Sequence, residues 1–170
     1  MDDFLSQIEK ALDNNLFFVA LQSVLSLPDI CGALQTDDDV RSKTRYMEWF
    51  DEYGKKYIRC QMTAEDCYNF RCSMLHQGST VPSPSNGKEA NYTRIMFVVD
   101  ENCLYHNNVF FGALNIDLHI FCYGIMAGVR EWQQEMERTQ NANYMRKYPV
   151  MVRTYLTGLA PYVQNALTIT

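Results

Sequence analysis

The run Arg71-Cys-Ser-Met-Leu-His76-Gln-Gly78 carries the residue types best suited to chemistry in this chain. An imidazole that titrates near neutrality can take a proton or give one. A guanidinium can hold two phosphate oxygens and stabilise charge that develops on phosphorus. On a helix the two residues are about 140° apart, so they share no narrow face. The long arginine side chain can still reach the histidine, or a second copy of the chain can close the site. The spacing alone carries little, because nine arginines and three histidines produce such pairs readily. A purely structural arrangement would pair Arg71 with Glu48 or Asp51 and use His76 to cap its helix.

The remaining candidates are weaker. His106 and His119 show no ligand spacing to acidic residues, so no metal or other cofactor is expected. His106 reads as a surface or turn residue and His119 as a neutral packing residue in a first helical turn. There is no glycine-rich phosphate loop. Gly124 and Gly128 form a G-x-x-x-G step that suits close packing of helices. Six cysteines include no C-x-x-C pair, which points to reduced, mostly buried thiols.

The elements that must position the pair follow from periodicity. Residues 2–26 repeat apolar side chains at three and four and predict a helix, which Pro28 should end. A short turn over 28–34 follows. A second helix is expected over 39–57, frayed or ended at Gly54. Thr63 and Asp66 have the form of a capping box, so a third helix should run over 64–77 and stop at a left-handed Gly78. Residues 79–91 read as a loop, because Pro and Ser alternate there. Residues 94–99 and 103–106 predict a β-hairpin joined through 100–102. Asp117 is a fitting N-cap for a helix over 118–138. A short helix over 140–147 stops before Pro149, and the β-branched stretch from Val150 allows short strands. The expected fold is mainly α, a bundle of four to five helices with a small inserted hairpin, in one domain over 1–170.

Bulk properties narrow the setting. The chain has 170 residues, 47% of them hydrophobic and 21% charged, which suits one domain with a real core. A net charge of −5 argues against broad binding to a nucleic-acid backbone and leaves room for a local basic patch. No signal peptide is visible at the N-terminus, and the greasy stretch from Leu16 to Leu27 looks too short and too polar to span a membrane. The chain therefore reads as a cytoplasmic protein.

Tyr68-Asn-Phe-Arg71-Cys-Ser-Met-Leu-His76-Gln-Gly78 resembles the signature helix of the HEPN superfamily, whose members carry an Arg followed after four to six residues by a His. The order of helices around the motif is similar as well. Cys72 departs from the family, which often has a polar residue such as Asn directly after the Arg. The resemblance implies a HEPN-like bundle acting as a homodimer, with the motif helices facing across a cleft. It implies metal-independent endoribonuclease activity with Arg71 and His76 as catalytic residues. Asp66, Tyr68, Asn69 and Ser73 would support them. Asn69 and Ser73, seven and three positions before His76, would share its face and orient the ring or bind a phosphate oxygen. Tyr68 would stack on a base. Arg41, Lys43, Arg45 and Arg59 would hold the RNA. The alternative is an inactive HEPN-like module that binds nucleotide, RNA or a protein partner of the toxin–antitoxin kind.

Overall fold

The computed structural model describes residues 1–82, 89–100 and 102–170, and within them the chain is mainly helical. The first helical stretch is two helices. α1 (Asp2–Asp13) ends where Asn14 and Asn15 follow, with Asn15 left-handed at φ 58°. Asparagine tolerates that conformation better than most residues, which makes it a natural helix terminator. α2 (Phe17–Gln35) then runs straight through Pro28. The ring removes one backbone donor, but Val24, Leu25, Leu27, Cys31 and Leu34 are all buried around it. Burying each such side chain contributes roughly 1.5–3 kcal/mol, enough together to outweigh an interior proline's cost of about 3 kcal/mol. By length and composition α2 could cross a bilayer. The helix runs on to Gln35, past the Leu27 at which the apolar stretch was expected to end. Here α2 is the central helix of the core and packs on α1 and on the helices that follow.

The next helix is continuous from α3 (Ser42–Trp49) through a π turn (Phe50–Gly54) into α4 (Lys55–Ile58). Gly54 neither frays nor ends it. It lets the wide turn approach α6 (Leu118–Thr139), where a Cβ on Gly54 would stand 2.9 Å from Ile125 Cδ1. The contact is reciprocal. A Cβ on Gly128 would fall 2.6 Å from the Tyr53 carbonyl oxygen, and one on Gly124 2.8 Å from Ile58 Cγ2. The two glycines are thus the seat of a helix–helix contact, as their spacing suggests. Left-handed Arg59 ends α4.

The strands differ from the expected hairpin. β1 (Arg94–Val98) does not pair with 103–106, which form turns. It pairs in parallel with β3 (Ala113–Asp117), from Arg94 opposite Ala113 to Val98 opposite Asp117. The true hairpin joins β2 (Asn108–Phe110) to β3 through Phe111 and Gly112, both at positive φ. A two-residue turn of that hand matches the twist of the flanking strands. Glu101, in the expected connection, lies outside the described residues, as do residues 83–88 of the expected loop. Ile95, Leu114 and Ile116 are fully buried. Phe97 packs between Phe70 and Phe121, tilted on the first and edge-on to the second, at ring distances of 5.3 and 4.9 Å. The sheet is thereby fixed to two helices at once.

His106 is a structural pin. Its Nδ1 accepts from the Asp117 backbone N–H at 3.2 Å, so Nε2 carries the proton and donates to the Ile58 carbonyl at 3.0 Å. Asp117 caps α6 by accepting from Ile120 N–H. After α7 (Ala142–Lys147) and a short 3-10 turn, the chain ends in an arm of paired two-residue strands. β4 (Thr154–Tyr155) pairs with β7 (Thr168–Ile169), and β5 (Gly158–Leu159) with β6 (Val163–Gln164). No charged side chain occurs from 154 to 170. Leu156, Tyr162, Leu167 and Ile169 stand largely exposed on this arm.

Candidate functional site

The helix that carries the motif, α5 (Ala64–Gln77), is fixed at both ends by local chemistry. The Thr63 hydroxyl accepts from Asp66 N–H at 3.1 Å, and Asp66 Oδ2 accepts from Thr63 N–H at 3.0 Å. Gly78, at φ 63°, ends it, with its N–H on the Met74 carbonyl and the Ser79 N–H on that of Ser73. Such a terminus satisfies carbonyls that the helix leaves open. His76 therefore sits at a defined, exposed end of the helix.

Arg71 and His76 meet. Arg71 Nη1 lies 3.3 Å from His76 Nε2 and 3.9 Å from Cys72 Sγ. On its other edge Nη2 forms an ion pair with Asp29 Oδ2 at 2.6 Å, and both side chains are less than a fifth exposed. The acid is neither Glu48 nor Asp51. It comes from α2, one position after Pro28. Asp29 Oδ1 in turn accepts from the Ser42 hydroxyl at 3.0 Å, at the start of α3. Three helices thus meet at one carboxylate, and a polar line runs Ser42, Asp29, Arg71, His76.

Aromatic and cationic groups flank this line. Tyr46, fully buried, packs edge-on against Tyr68 at 5.4 Å and its hydroxyl touches Cys67 Sγ at 3.3 Å. Burial pushes the Tyr46 phenol well up, with Cys67 and Asp29 adding to it. Burial pushes the Cys67 thiol up to about 12. Tyr68, half-buried, is also raised, by burial and then by its contact with Cys72. Lys43 Nζ stands over the Tyr68 ring at 5.7 Å and pairs with Glu65 at 2.7 Å. Burial pulls the Arg71 guanidinium down, but Asp29 and Cys72 outweigh it and the group ends above its ordinary value. It stays a cation.

The other residues singled out in the sequence divide. Asp66 serves the cap and accepts from Asn91 Nδ2 at 2.9 Å, so its oxygens are turned to the helix start. Asn69 is buried and lines a cavity of about 200 Å³ with Glu65, Asp66, Pro82, Glu89 and Asn91. Ser73 is fully buried while His76 is exposed, so the face they share by spacing is split by packing. The expected basic patch does not form as one surface. Arg41, Lys43 and Arg45 belong to the start of α3, whereas Arg59 lies 16 positions beyond Lys43, roughly 24 Å along the helix. Arg59 instead lines a shallow cleft with Lys56, Tyr57, His106 and Glu131. Arg45 turns its Nε into the protein, and its carbonyl oxygen would stand 2.8 Å from a Cβ on Gly32. His119 packs against Phe17 and Tyr123.

Asp29 and Ser42 are the site residues that the sequence did not single out. The signal available was an acid on the helix face that would meet α5, but it became readable only once α2 was known to continue past Pro28. Among the described residues no group of three or more His, Cys, Asp or Glu could hold a metal ion. The arrangement can present a fixed cation beside an accessible imidazole, which suits an anionic ester. No family model, curated protein or solved structure matches the chain.

Proposed function

We propose that the chain is a HEPN-like, metal-independent endoribonuclease that works as a homodimer in the cytoplasm through Arg71 and His76. One observation carries the reading: Arg71 Nη1 stands 3.3 Å from His76 Nε2 at the exposed end of α5. An imidazole of the dimer takes the proton of a ribose 2′-hydroxyl. The 2′ oxygen attacks phosphorus while Arg71 holds the developing charge on the non-bridging oxygens. The bond from phosphorus to the 5′ oxygen breaks, and that oxygen takes a proton from an imidazolium or from water. The products are a 2′,3′-cyclic phosphate and a 5′-hydroxyl. Each chain brings one His and one Arg to the site, so a second copy supplies the complementary acid or base. Six unpaired thiols support a reducing compartment.

The test is incubation of the purified protein with mixed RNA in EDTA, beside Arg71→Ala and His76→Ala. Cleavage with cyclic phosphate ends, lowered at least a hundredfold by either substitution, is the expected result. Cleavage that survives both changes, or that chelator abolishes, overturns the mechanism. A second reading rests on Asp29, which offsets the charge of Arg71, and on Cys72 beside it. In that reading the same surface binds an RNA end, a nucleotide or a protein partner without cutting. RNA retention without cleavage, lost in Arg71→Ala, would select it. Sedimentation at tens of micromolar tests the homodimer, and a monomer there counts against it.

A further inference from the structure

We infer that Asp29 is a positioning residue of this site, holding the Arg71 guanidinium with its Nη1 edge turned to His76. The inference rests on the endoribonuclease reading above and assigns a role to a residue on a different helix.

The geometry of α5 creates the need. Arg71 leaves the helix about 140° away from His76, so its side chain must bend across the helix surface to meet the imidazole. A long side chain with several rotatable bonds does not stay bent without a second anchor, because ordering it costs rotamer entropy. Asp29 supplies that anchor from α2 at 2.6 Å. Its own carboxylate is held from the far side by the Ser42 hydroxyl at 3.0 Å. The result leaves Nη1 at 3.3 Å from His76 Nε2.

Two other roles fit less well. An ion pair that served only to join α2 to α5 would gain most by offering both oxygens to the arginine fork. Here Nη2 pairs in charge with the acid, Nη1 faces His76 and Cys72, and neither Arg71 Nε nor Asp29 Oδ2 has a hydrogen-bond partner among the described residues. A carboxylate that merely occupied the phosphate seat would have to leave on binding. Asp29 is only 15% exposed, and its departure would strand a mostly buried guanidinium. An anchor that stays in place, with the phosphate arriving on the Nη1 edge, agrees with the burial.

The experiment compares wild type with Asp29→Asn, Asp29→Glu and Ser42→Ala, reading kcat and KM on RNA, melting temperature, and the side-chain NMR signals of the Arg71 guanidinium. Positioning predicts that Asp29→Asn lowers kcat about ten- to hundredfold without raising KM. Asp29→Glu, which keeps the charge, should restore most of the loss. Ser42→Ala, at an exposed position that leaves the pair itself intact, should lower kcat several-fold with KM and melting temperature unchanged. The guanidinium N–H signals should be resolved in wild type and averaged in Asp29→Asn. A faster Asp29→Asn enzyme with a lower KM would make Asp29 a competitor and overturn the inference. So would wild-type kcat in that variant, or a loss of rate that only tracks the fraction folded. Should Asp29→Asn fail to fold, Ser42→Ala decides, and wild-type kcat in it overturns the inference. Should wild type cleave nothing, the endoribonuclease reading falls by itself. The NMR comparison then stands alone, and signals that stay resolved in Asp29→Asn overturn the anchor.

Discussion

Arg71 and His76 touch, yet removing them should have opposite weights on stability. Arg71 is one half of an ion pair whose members are 19% and 15% exposed. Truncating it leaves the Asp29 carboxylate in a mostly buried place with only Ser42 to answer it. Arg71→Ala should therefore lower unfolding stability by roughly 2–3 kcal/mol, somewhat under the cost of breaking a fully buried pair. His76 is exposed at the end of its helix, and His76→Ala should change stability by less than about 0.5 kcal/mol. Urea unfolding of the two variants checks this, and equal losses would mean that the imidazole is part of the packing. The pair itself was legible in the sequence, since an Arg and a His on one predicted helix can be seen without a fold. Its acidic partner was not. Asp29 lies 42 positions before Arg71, and no local pattern links them. Asn69 and Ser73 are buried while His76 is exposed, a difference that helical spacing alone does not carry.

Among the elements, the signals that act within a few residues were the readable ones. The capping box of Thr63 and Asp66, the left-handed Gly78 and the Asp117 cap each involve atoms within about one turn. Pro28, Gly54 and the pairing of β1 were misread because their outcome is set across the core. A proline survives inside α2 because the flanking side chains are buried, and Gly54 persists in a helix because α6 presses against it. Parallel pairing of β1 with β3 involves strands some 19 positions apart, as in Arg94 opposite Ala113, and leaves no turn motif to read. The glycines allow a direct comparison of the two kinds of constraint. Gly128→Ala would drive a Cβ to 2.6 Å from a backbone oxygen of the π turn, which neither partner can easily yield. A loss of roughly 2–3 kcal/mol is expected, typical of overpacking at a tight contact. Gly78→Ala meets nothing within 4 Å and carries only the penalty of its φ of 63°, about 1 kcal/mol. Thermal melts should therefore rank Gly128→Ala well below Gly78→Ala, and the reverse order would mean that the contact of α6 with the π turn is loose.

For the whole molecule, the thiols report the packing at one stroke. Cys31, Cys60, Cys67 and Cys122 are buried, Cys72 is half-buried and Cys103 is exposed. Burial pushes the Cys31, Cys60, Cys67 and Cys122 thiols up, and desolvation with Asp117 raises that of Cys103 as well, so access rather than ionisation sets which thiols react. The native chain should take up one to two equivalents of a thiol reagent near pH 8, at Cys103 and Cys72, and all six only in denaturant. Mass mapping of the labelled peptides checks this, and rapid labelling of Cys67 would show that α5 is not seated on α3.

The C-terminal arm has a consequence for how copies of the chain behave toward one another. From 154 to 170 it carries no charged side chain, while the rest of the molecule holds the whole net charge of −5. Native proteins blunt exposed strand edges with lysines, prolines or bulges. On this arm there is no lysine; Pro161 stands at the turn between β5 and β6, and each strand is only two residues long. Self-association through Leu156, Tyr162 and Leu167 would therefore be indifferent to acidity, and only the repulsion opposing it would titrate. Near the isoelectric point of about 5.1 that repulsion vanishes, so loss of solubility should be sharpest there, and light scattering against pH checks it.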